Sequence, residues 1–202
     1  MTRRAAIIVL DGLGIGPAHD TAEYGDAGSN TLGNVARAVG GLDLPQLAEL
    51  GLGRCAPLVG VTATATPRSA FGVCEPCSPG KDSTTGHWEL CGLILPAPFP
   101  TFPSGFPPEL IAEFSRRTGR GVLGNKAASG TVILDEFGAE HQRTGAWIVY
   151  TSADSVFQVA AHEGTVPLEE LYAACAAARE MLQGELGVSR VIARPFTGQP
   201  GS

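Results

Sequence analysis

The chain has 202 residues, of which 44% are apolar, and a formal net charge of −6. That length allows one domain or two small ones, and the acidic balance argues against binding to nucleic-acid phosphates. No apolar run approaches the roughly 20 residues of a membrane span, and five cysteines without framework spacing suit a reducing compartment. We therefore expect a cytoplasmic protein that binds neither nucleic acid nor membranes.

The first predicted element is residues 5–10, a continuous apolar run that is rich in β-branched side chains and stops at Asp11. Such a run predicts a strand buried on both faces of a parallel sheet. Ligands bind at the carboxyl ends of strands in open α/β sheets, so Asp11 is placed either to bind a metal or to form a turn. The glycines that follow have the wrong spacing for a dinucleotide-binding loop.

Helical spacing of apolar residues predicts helices over 31–39, with an asparagine cap, and over 45–50. Residues 68–74 alternate weakly and predict a strand. Cys74 and Cys77 form a lone Cys-x-x-Cys pair, a weak signal for redox or zinc chemistry. Two nearby prolines favour an ordinary loop instead.

Residues 80–89, with the sequence GKDSTTGHWE, carry the strongest chemical signal. The run Ser83, Thr84 and Thr85 offers hydroxyl groups that a base or a metal could activate as nucleophiles. Hydroxyl residues favour helix N-termini, where free N–H groups face a bound phosphate. Lys81 could neutralise that phosphate or lie in solvent as a surface charge, and the whole stretch could equally be a surface turn with a cap.

Residues 95–108 contain too much proline for a helix or a central strand, so we predict a connector whose phenylalanines pack against another part of the chain. Beyond it, helices and strands alternate, which indicates an α/β unit. The predicted helices cover 109–117, 131–137 and 167–183, and the predicted strands cover 121–123, 147–151 and 190–196.

Three segments together resemble the phosphopentomutases of the alkaline phosphatase superfamily. They are residues 9–16 (VLDGLGIG), residues 80–89 and residues 151–163 (TSADSVFQVAAHE). The resemblance implies an α/β fold: an incomplete alkaline-phosphatase-like core in residues 1–97 and an inserted α/β cap domain in residues 98–202.

The resemblance also implies the site residues. The phosphorylated nucleophile, usually threonine in the family, falls on Ser83, with Thr84 or Thr85 as less favoured bearers. Asp11 and Ser83 would bind metal in a site of two divalent ions, with manganese favoured. The residues that would contact the pentose phosphate are Ser152, Asp154, Val156, Arg190 and Ile192.

Elementary chemistry fits these substrate contacts. The Asp154 carboxylate and the Ser152 hydroxyl can bind sugar hydroxyls, and the planar fork of Arg190 can meet phosphate oxygens in pairs. Asp154 could instead be a helix cap. Arg194 would share a strand face with Arg190 and is a second candidate for phosphate.

The implied activity interconverts (deoxy)ribose 1-phosphate and (deoxy)ribose 5-phosphate. The family's remaining metal ligands lie in histidine–aspartate motifs, and none of the chain's four histidines sits in such a motif. We therefore expect the N-terminal portion of such an enzyme, with little or no activity alone. Two alternatives stay open: another mutase or phosphatase of the superfamily, and a non-catalytic module that binds sugar phosphates.

Overall fold

The computed structural model describes residues 4–10 and 12–198, so the predicted metal ligand Asp11 lies outside the described residues. The chain forms two compact units that divide between Pro76 and Cys77. The helices are, in chain order, α1 (Thr31–Ala38), α2 (Pro45–Leu50), α3 (Leu52–Cys55), α4 (Ser83–Leu90), α5 (Pro108–Thr118), α6 (Gly130–Thr144) and α7 (Leu168–Met181). The strands are β1 (Val122–Ala127), β2 (Trp147–Thr151), β3 (Val156–His162) and β4 (Arg190–Phe196).

The first unit is built from short helices, as its sequence predicts for residues 31–39 and 45–50. The Asn30 side chain caps α1 by accepting a hydrogen bond from the Gly33 N–H at 2.9 Å. Proline begins α2, and Gly51 ends it in the left-handed region at φ 109°. The buried core of this unit is small and consists of Leu32, Ala48, Leu58 and Val61.

Two predicted strands of the first unit are wrong. Residues 5–10 and 68–74 carry no strand in the structure, and Ile8 leaves 86% of its surface exposed. A strand is stabilised by hydrogen bonds to a neighbouring strand, and the first unit holds no strand among its described residues. Apolar, β-branched composition alone therefore did not suffice to make these segments strands.

The second unit is organised around one mixed sheet in the order β1-β2-β3-β4. Strands β1 and β2 are parallel, β2 and β3 are antiparallel, and β3 and β4 are parallel. Each parallel pair is joined through a helix, α6 or α7, as parallel connections require. Only the four residues 152–155 join β2 to β3, so this turn lies at the same edge of the sheet as the beginning of β4.

Helices cover both faces of this sheet. Phe114 of α5 and Leu171 of α7 pack with Trp147 and Phe157 in the larger core cluster. Ile133 of α6 packs on the opposite face with Ile148 and the alternate residues of β2 and β3. The chain is thus a mixed α/β protein, and within the described residues no helix has the length and apolar character needed to cross a membrane.

Most predicted elements of the second unit are confirmed. The strands over 147–151 and 190–196 have the predicted bounds, and the helix that the sequence places over 109–117 spans Pro108–Thr118. Gly119 ends that helix with φ 70°, in the left-handed region that glycine adopts most readily. Strand β3 was not predicted, because Gln158 and His162 interrupt its apolar run although most of the strand is buried.

The proline-rich segment behaves as predicted. Residues 95–107 contain neither helix nor strand. Phe106 is 3% exposed, and its ring centroid lies 4.6 Å from that of Phe102 and 4.7 Å from that of Phe157. The phenylalanines therefore anchor this segment to the larger core of the second unit.

Replacing Phe157 by alanine should destabilise the second unit by about 3–5 kcal/mol, because the ring is 1% exposed and its removal leaves a cavity in the larger core. Urea unfolding followed by the fluorescence of buried Trp147 measures this loss. Ile8→Ala is the control, since Ile8 is largely exposed and should change stability by less than about 0.5 kcal/mol. Equal losses in the two variants would contradict this assignment of the core.

Stability should fall as the pH drops below about 6.5, because burial lowers the pKa of His141 from its ordinary value of 6.5. The His141 Nε2 accepts a hydrogen bond from the His162 N–H at 2.8 Å, which requires an unprotonated nitrogen. The unfolded chain takes up the proton first, so this stability is present above pH 6.5 and lost below it, by at most about 1.4 kcal/mol per pH unit.

Urea unfolding between pH 5 and 7.5 measures this dependence. His141→Gln should unfold more easily at every pH but show a flatter pH profile below 6.5. An unchanged slope in that variant would show that other groups cause the acid sensitivity.

Candidate active site

Helix α4 begins inside the hydroxyl-rich stretch, and Asp82 is its N-cap. One oxygen of this residue, Oδ1, accepts hydrogen bonds from the Thr84 N–H at 2.8 Å and the Thr85 N–H at 3.3 Å. The Asp82 backbone is extended, as cap geometry requires. The hydroxyl-rich turn thus opens a helix, although its cap is Asp82 and not one of the hydroxyl residues.

The three consecutive hydroxyl residues differ in their access to solvent. Ser83 is exposed and Thr84 is half-buried, whereas Thr85 is 3% exposed. The Thr85 hydroxyl has no hydrogen-bond partner within the described part of the chain. Ser83 is thus the hydroxyl best presented to an incoming ligand.

The GHWE part of the stretch fixes the loop before Ser83. Glu89 accepts hydrogen bonds from the Cys77 N–H at 2.6 Å and the Ser78 N–H at 2.8 Å. Hydrogen bonds from Ser78 and Cys77 lower the pKa of this carboxyl below its ordinary value. The His87 ring nitrogen Nδ1 lies 2.7 Å from the Ser83 carbonyl oxygen. Both side chains therefore support the conformation of the stretch.

Asp154 and Arg190 meet at one edge of the sheet because of strand register. Val156, at the start of β3, pairs in register with Arg190, at the start of the parallel strand β4. The turn before β3 therefore places Asp154 beside Arg190, whose Nη2 donates a hydrogen bond to Asp154 Oδ2 at 2.6 Å.

Ser83 also forms a hydrogen bond with Asp154 Oδ2. Its hydroxyl donates a hydrogen bond to Asp154 Oδ2 at 3.1 Å, across 71 residues of sequence. Three of the predicted site residues, Ser83, Asp154 and Arg190, are thus in direct contact. The Arg190–Asp154 ion pair is partly accessible, with 37% and 29% of the side-chain surfaces exposed. The Arg190 Nε is buried and makes no hydrogen bond to the described residues.

The other predicted substrate contacts occupy different surroundings. The Ser152 hydroxyl accepts a hydrogen bond from the Asp154 N–H at 3.3 Å and so stabilises the turn between β2 and β3. Val156 is only 2% exposed. Ile192 is half-buried and lies two residues from Arg190, on the same face of β4.

A cleft of about 550 Å³ opens on the α6 face of the sheet. Ser152 lines it together with Tyr150, Gln158 and Arg194. The Arg194 Nε donates a hydrogen bond to Gln158 Oε1 at 3.0 Å. Burial raises the pKa of the Tyr150 hydroxyl, and nearby Arg194 opposes this shift, so Tyr150 stays protonated at neutral pH.

Sequence reasoning missed the second oxygen of Asp82. This Oδ2 accepts hydrogen bonds from the Ser155 N–H and the Ser189 hydroxyl, each at 3.0 Å. Those partners lie 73 and 107 residues away in sequence. No local pattern signals such contacts; the available hint was an acidic residue directly before the candidate nucleophile.

The described residues do not form a metal site. No group of three or more histidine, cysteine, aspartate or glutamate side chains among them is arranged to hold an ion. Ser83 contributes one hydroxyl group, and this group donates a hydrogen bond to Asp154. The described residues alone therefore do not supply a complete site for the predicted pair of metal ions, and the predicted ligand Asp11 lies outside them.

Comparison with known proteins gives a consistent relationship along the whole chain. No protein-family model matches it. It is 58% identical over 200 residues to the phosphopentomutase of Desulfitobacterium hafniense and 58% identical over 200 residues to that of Carboxydothermus hydrogenoformans. It is 53% identical over 202 residues to that of Alkaliphilus oremlandii. These alignments cover 99–100% of the chain and 52% of each relative. The chain is therefore similar along nearly its whole length to proteins named phosphopentomutase, and it spans about half the length of the curated relatives it matches.

Proposed function

We propose that this chain carries the nucleophile and the sugar-phosphate contacts of a phosphopentomutase, an isomerase of (deoxy)ribose 1-phosphate and (deoxy)ribose 5-phosphate. The observation that supports this most is the shared hydrogen bonding of Ser83 and Arg190 to Asp154. It joins a potential phosphoryl acceptor to a potential phosphate-binding group. The high identity to proteins named phosphopentomutase supports the same substrate class.

In this proposal Ser83 Oγ carries the phosphoryl group. The phosphorylated serine gives its phosphoryl group to the free hydroxyl of the sugar phosphate, which forms a bisphosphate. The other phosphoryl group then returns to Ser83 Oγ, so phosphorus–oxygen bonds are exchanged without net hydrolysis. Such transfers depend chiefly on positioning and charge neutralisation.

Arg190 and Asp154 would bind the sugar phosphate from two sides. A guanidinium has five N–H donors, and one of those on Arg190 is used by Asp154. Phosphate oxygens can take the remaining donors of the two terminal nitrogens, whereas the Nε is buried. Asp154 can accept hydrogen bonds from sugar hydroxyls, because a phosphorylated Ser83 has no hydroxyl hydrogen to donate to it. Ser152 and Ile192 lie close enough along the chain to line the same edge.

Two divalent metal ions, with manganese preferred, remain part of the proposal for the whole enzyme. Asp11 and Ser83 would be ligands contributed by this chain. Because the described residues supply no set of three ligands, no step above is assigned to a metal.

The proposal also includes the domain assignment. Residues 1–97 would contribute to an alkaline-phosphatase-like core and residues 98–202 would form the cap. The lack of regular structure over residues 95–107 supports a boundary there. The compact units divide earlier, after Pro76. Within the second unit, Asp82 accepts hydrogen bonds from Ser155 and Ser189 that attach the start of α4 to the edge of the sheet.

We expect little turnover from the 202 residues alone, since they span about half of the relatives' length. The direct test is a chimera in which they replace the matching 200 residues of the Desulfitobacterium hafniense phosphopentomutase. With Mn²⁺ it should interconvert ribose 1-phosphate and ribose 5-phosphate in a coupled assay. Ser83→Ala should lower kcat by at least about 1,000-fold, because no other oxygen occupies that place.

Thr84→Ala is the matched control. It should keep most of the activity, and the peptide that contains Ser83 should still become phosphorylated. Full activity of the Ser83→Ala chimera would refute the proposed nucleophile. An inactive unaltered chimera that folds and binds manganese would refute the proposed reaction.

Binding can be tested on the 202-residue chain itself. Ribose 5-phosphate at millimolar concentration should raise the melting temperature, because a ligand that binds only the folded state stabilises it. Arg190→Ala should remove this shift by removing the phosphate contact. Arg143→Ala is the control, since Arg143 is an exposed arginine on α6, and it should leave the shift intact. An equal shift in both variants would place the ligand elsewhere.

A further inference from the structure

Asp82 holds together three segments that each carry a site residue. Its Oδ1 accepts the amide hydrogens at the start of α4, directly after Ser83. Its Oδ2 accepts hydrogen bonds from Ser155 and Ser189. Ser155 follows Asp154 in sequence, and Ser189 precedes Arg190.

The two serines form a firm anchor for this carboxylate. Ser155 is fully buried, and its hydroxyl donates to the Pro100 carbonyl oxygen and accepts from the Ser189 N–H at 3.2 Å. The Ser189 hydroxyl lies within hydrogen-bond distance of both Asp82 Oδ2 and the Ser155 carbonyl oxygen. The Asp82 side chain, hydrogen-bonded to these two serines, therefore has little freedom to move relative to this edge of the sheet.

Helix capping alone does not account for these contacts. An N-cap needs one side-chain oxygen, and serine or asparagine would cap α4 about as well as aspartate. Aspartate differs because both of its oxygens only accept hydrogen bonds when ionised. The second oxygen of Asp82 is used entirely by residues outside the helix.

We propose that Asp82 is the positioning residue of the site, which sets the Ser83 hydroxyl against Asp154 and Arg190. It acts through the backbone of Ser83 and through the neighbours of the other two residues. The consequence for catalysis rests on the function proposed above, whereas the positioning itself does not.

Asp82→Asn separates the two roles. The asparagine oxygen can still cap α4, but its NH₂ group cannot accept the hydrogen bond of the Ser155 N–H. Helix α4 should remain formed while its attachment to the sheet edge is lost. Thr118→Val is the matched stability control, because it removes the partner of the buried Trp147 Nε1 in the same unit, away from Ser83.

Disulfide trapping measures the position of residue 83 without any ligand. In the 202-residue chain, Ser83→Cys and Asp154→Cys are combined, and the rate of the 83–154 disulfide is followed by peptide mass mapping under mild oxidation. Adding Asp82→Asn should slow this rate about tenfold or more. Adding Thr118→Val should leave the rate within about twofold. Equal rates with and without Asp82→Asn, or equal slowing by both variants, would overturn the proposal.

The chimera with the Desulfitobacterium hafniense protein shows the effect on the reaction. Asp82→Asn should lower kcat by about 100-fold, the scale of loss for a misplacement of about 1 Å, with a smaller change in KM. Thr118→Val should leave both kcat and KM unchanged. An unaltered chimera without mutase activity would count against the proposed function only, while the trapping rates would still decide the role of Asp82.

Discussion

Asp154 Oδ2 accepts hydrogen bonds from Ser83 and from Arg190, and through this shared oxygen the three predicted site residues are in contact. The three residues come from the start of a helix, a four-residue turn and the start of a strand. They can meet because β3 and β4 run parallel in register, which brings the turn before one strand beside the beginning of the other. The site is therefore a property of sheet register as much as of its own residues.

The layers around the sheet keep that edge in place. Helices α5 and α7 pack on one face and α6 packs on the other, and Phe102 and Phe106 of the proline-rich segment pack into the larger core. Groups on such a rigid frame lose little freedom when substrate binds, which favours catalysis by positioning. Asp82 and Glu89 accept hydrogen bonds that further fix the stretch that carries Ser83.

The sequence was most informative where local chemistry decides structure. Cap, proline and glycine signals located α1, α2 and α5, and an apolar, β-favouring run located β2. Residues 5–10 have the same apolar character but lack a neighbouring strand in the described structure, so composition alone predicted a strand wrongly. Strand β3 went unpredicted because polar Gln158 lies within it, bonded to Arg194 across the sheet.

The candidate site also contains residues that the sequence predicted and contacts that it did not. Ser83, Asp154 and Arg190 were predicted from resemblance to a family, and the structure brings them into contact. The hydrogen bonds of Asp82 with Ser155 and Ser189 could not be predicted, because they join residues more than 70 positions apart. Long-range hydrogen bonds leave no periodic or local trace in a single sequence.

A crystal structure of the chain with ribose 5-phosphate would test the central claim most directly. The account predicts the phosphate oxygens within about 3 Å of the Arg190 guanidinium, as charge-assisted hydrogen bonds require. It also predicts a sugar hydroxyl on the Asp154 carboxylate, with Ser83 Oγ facing the sugar. A ligand bound elsewhere, with the Ser83–Asp154–Arg190 contacts unchanged, would contradict it.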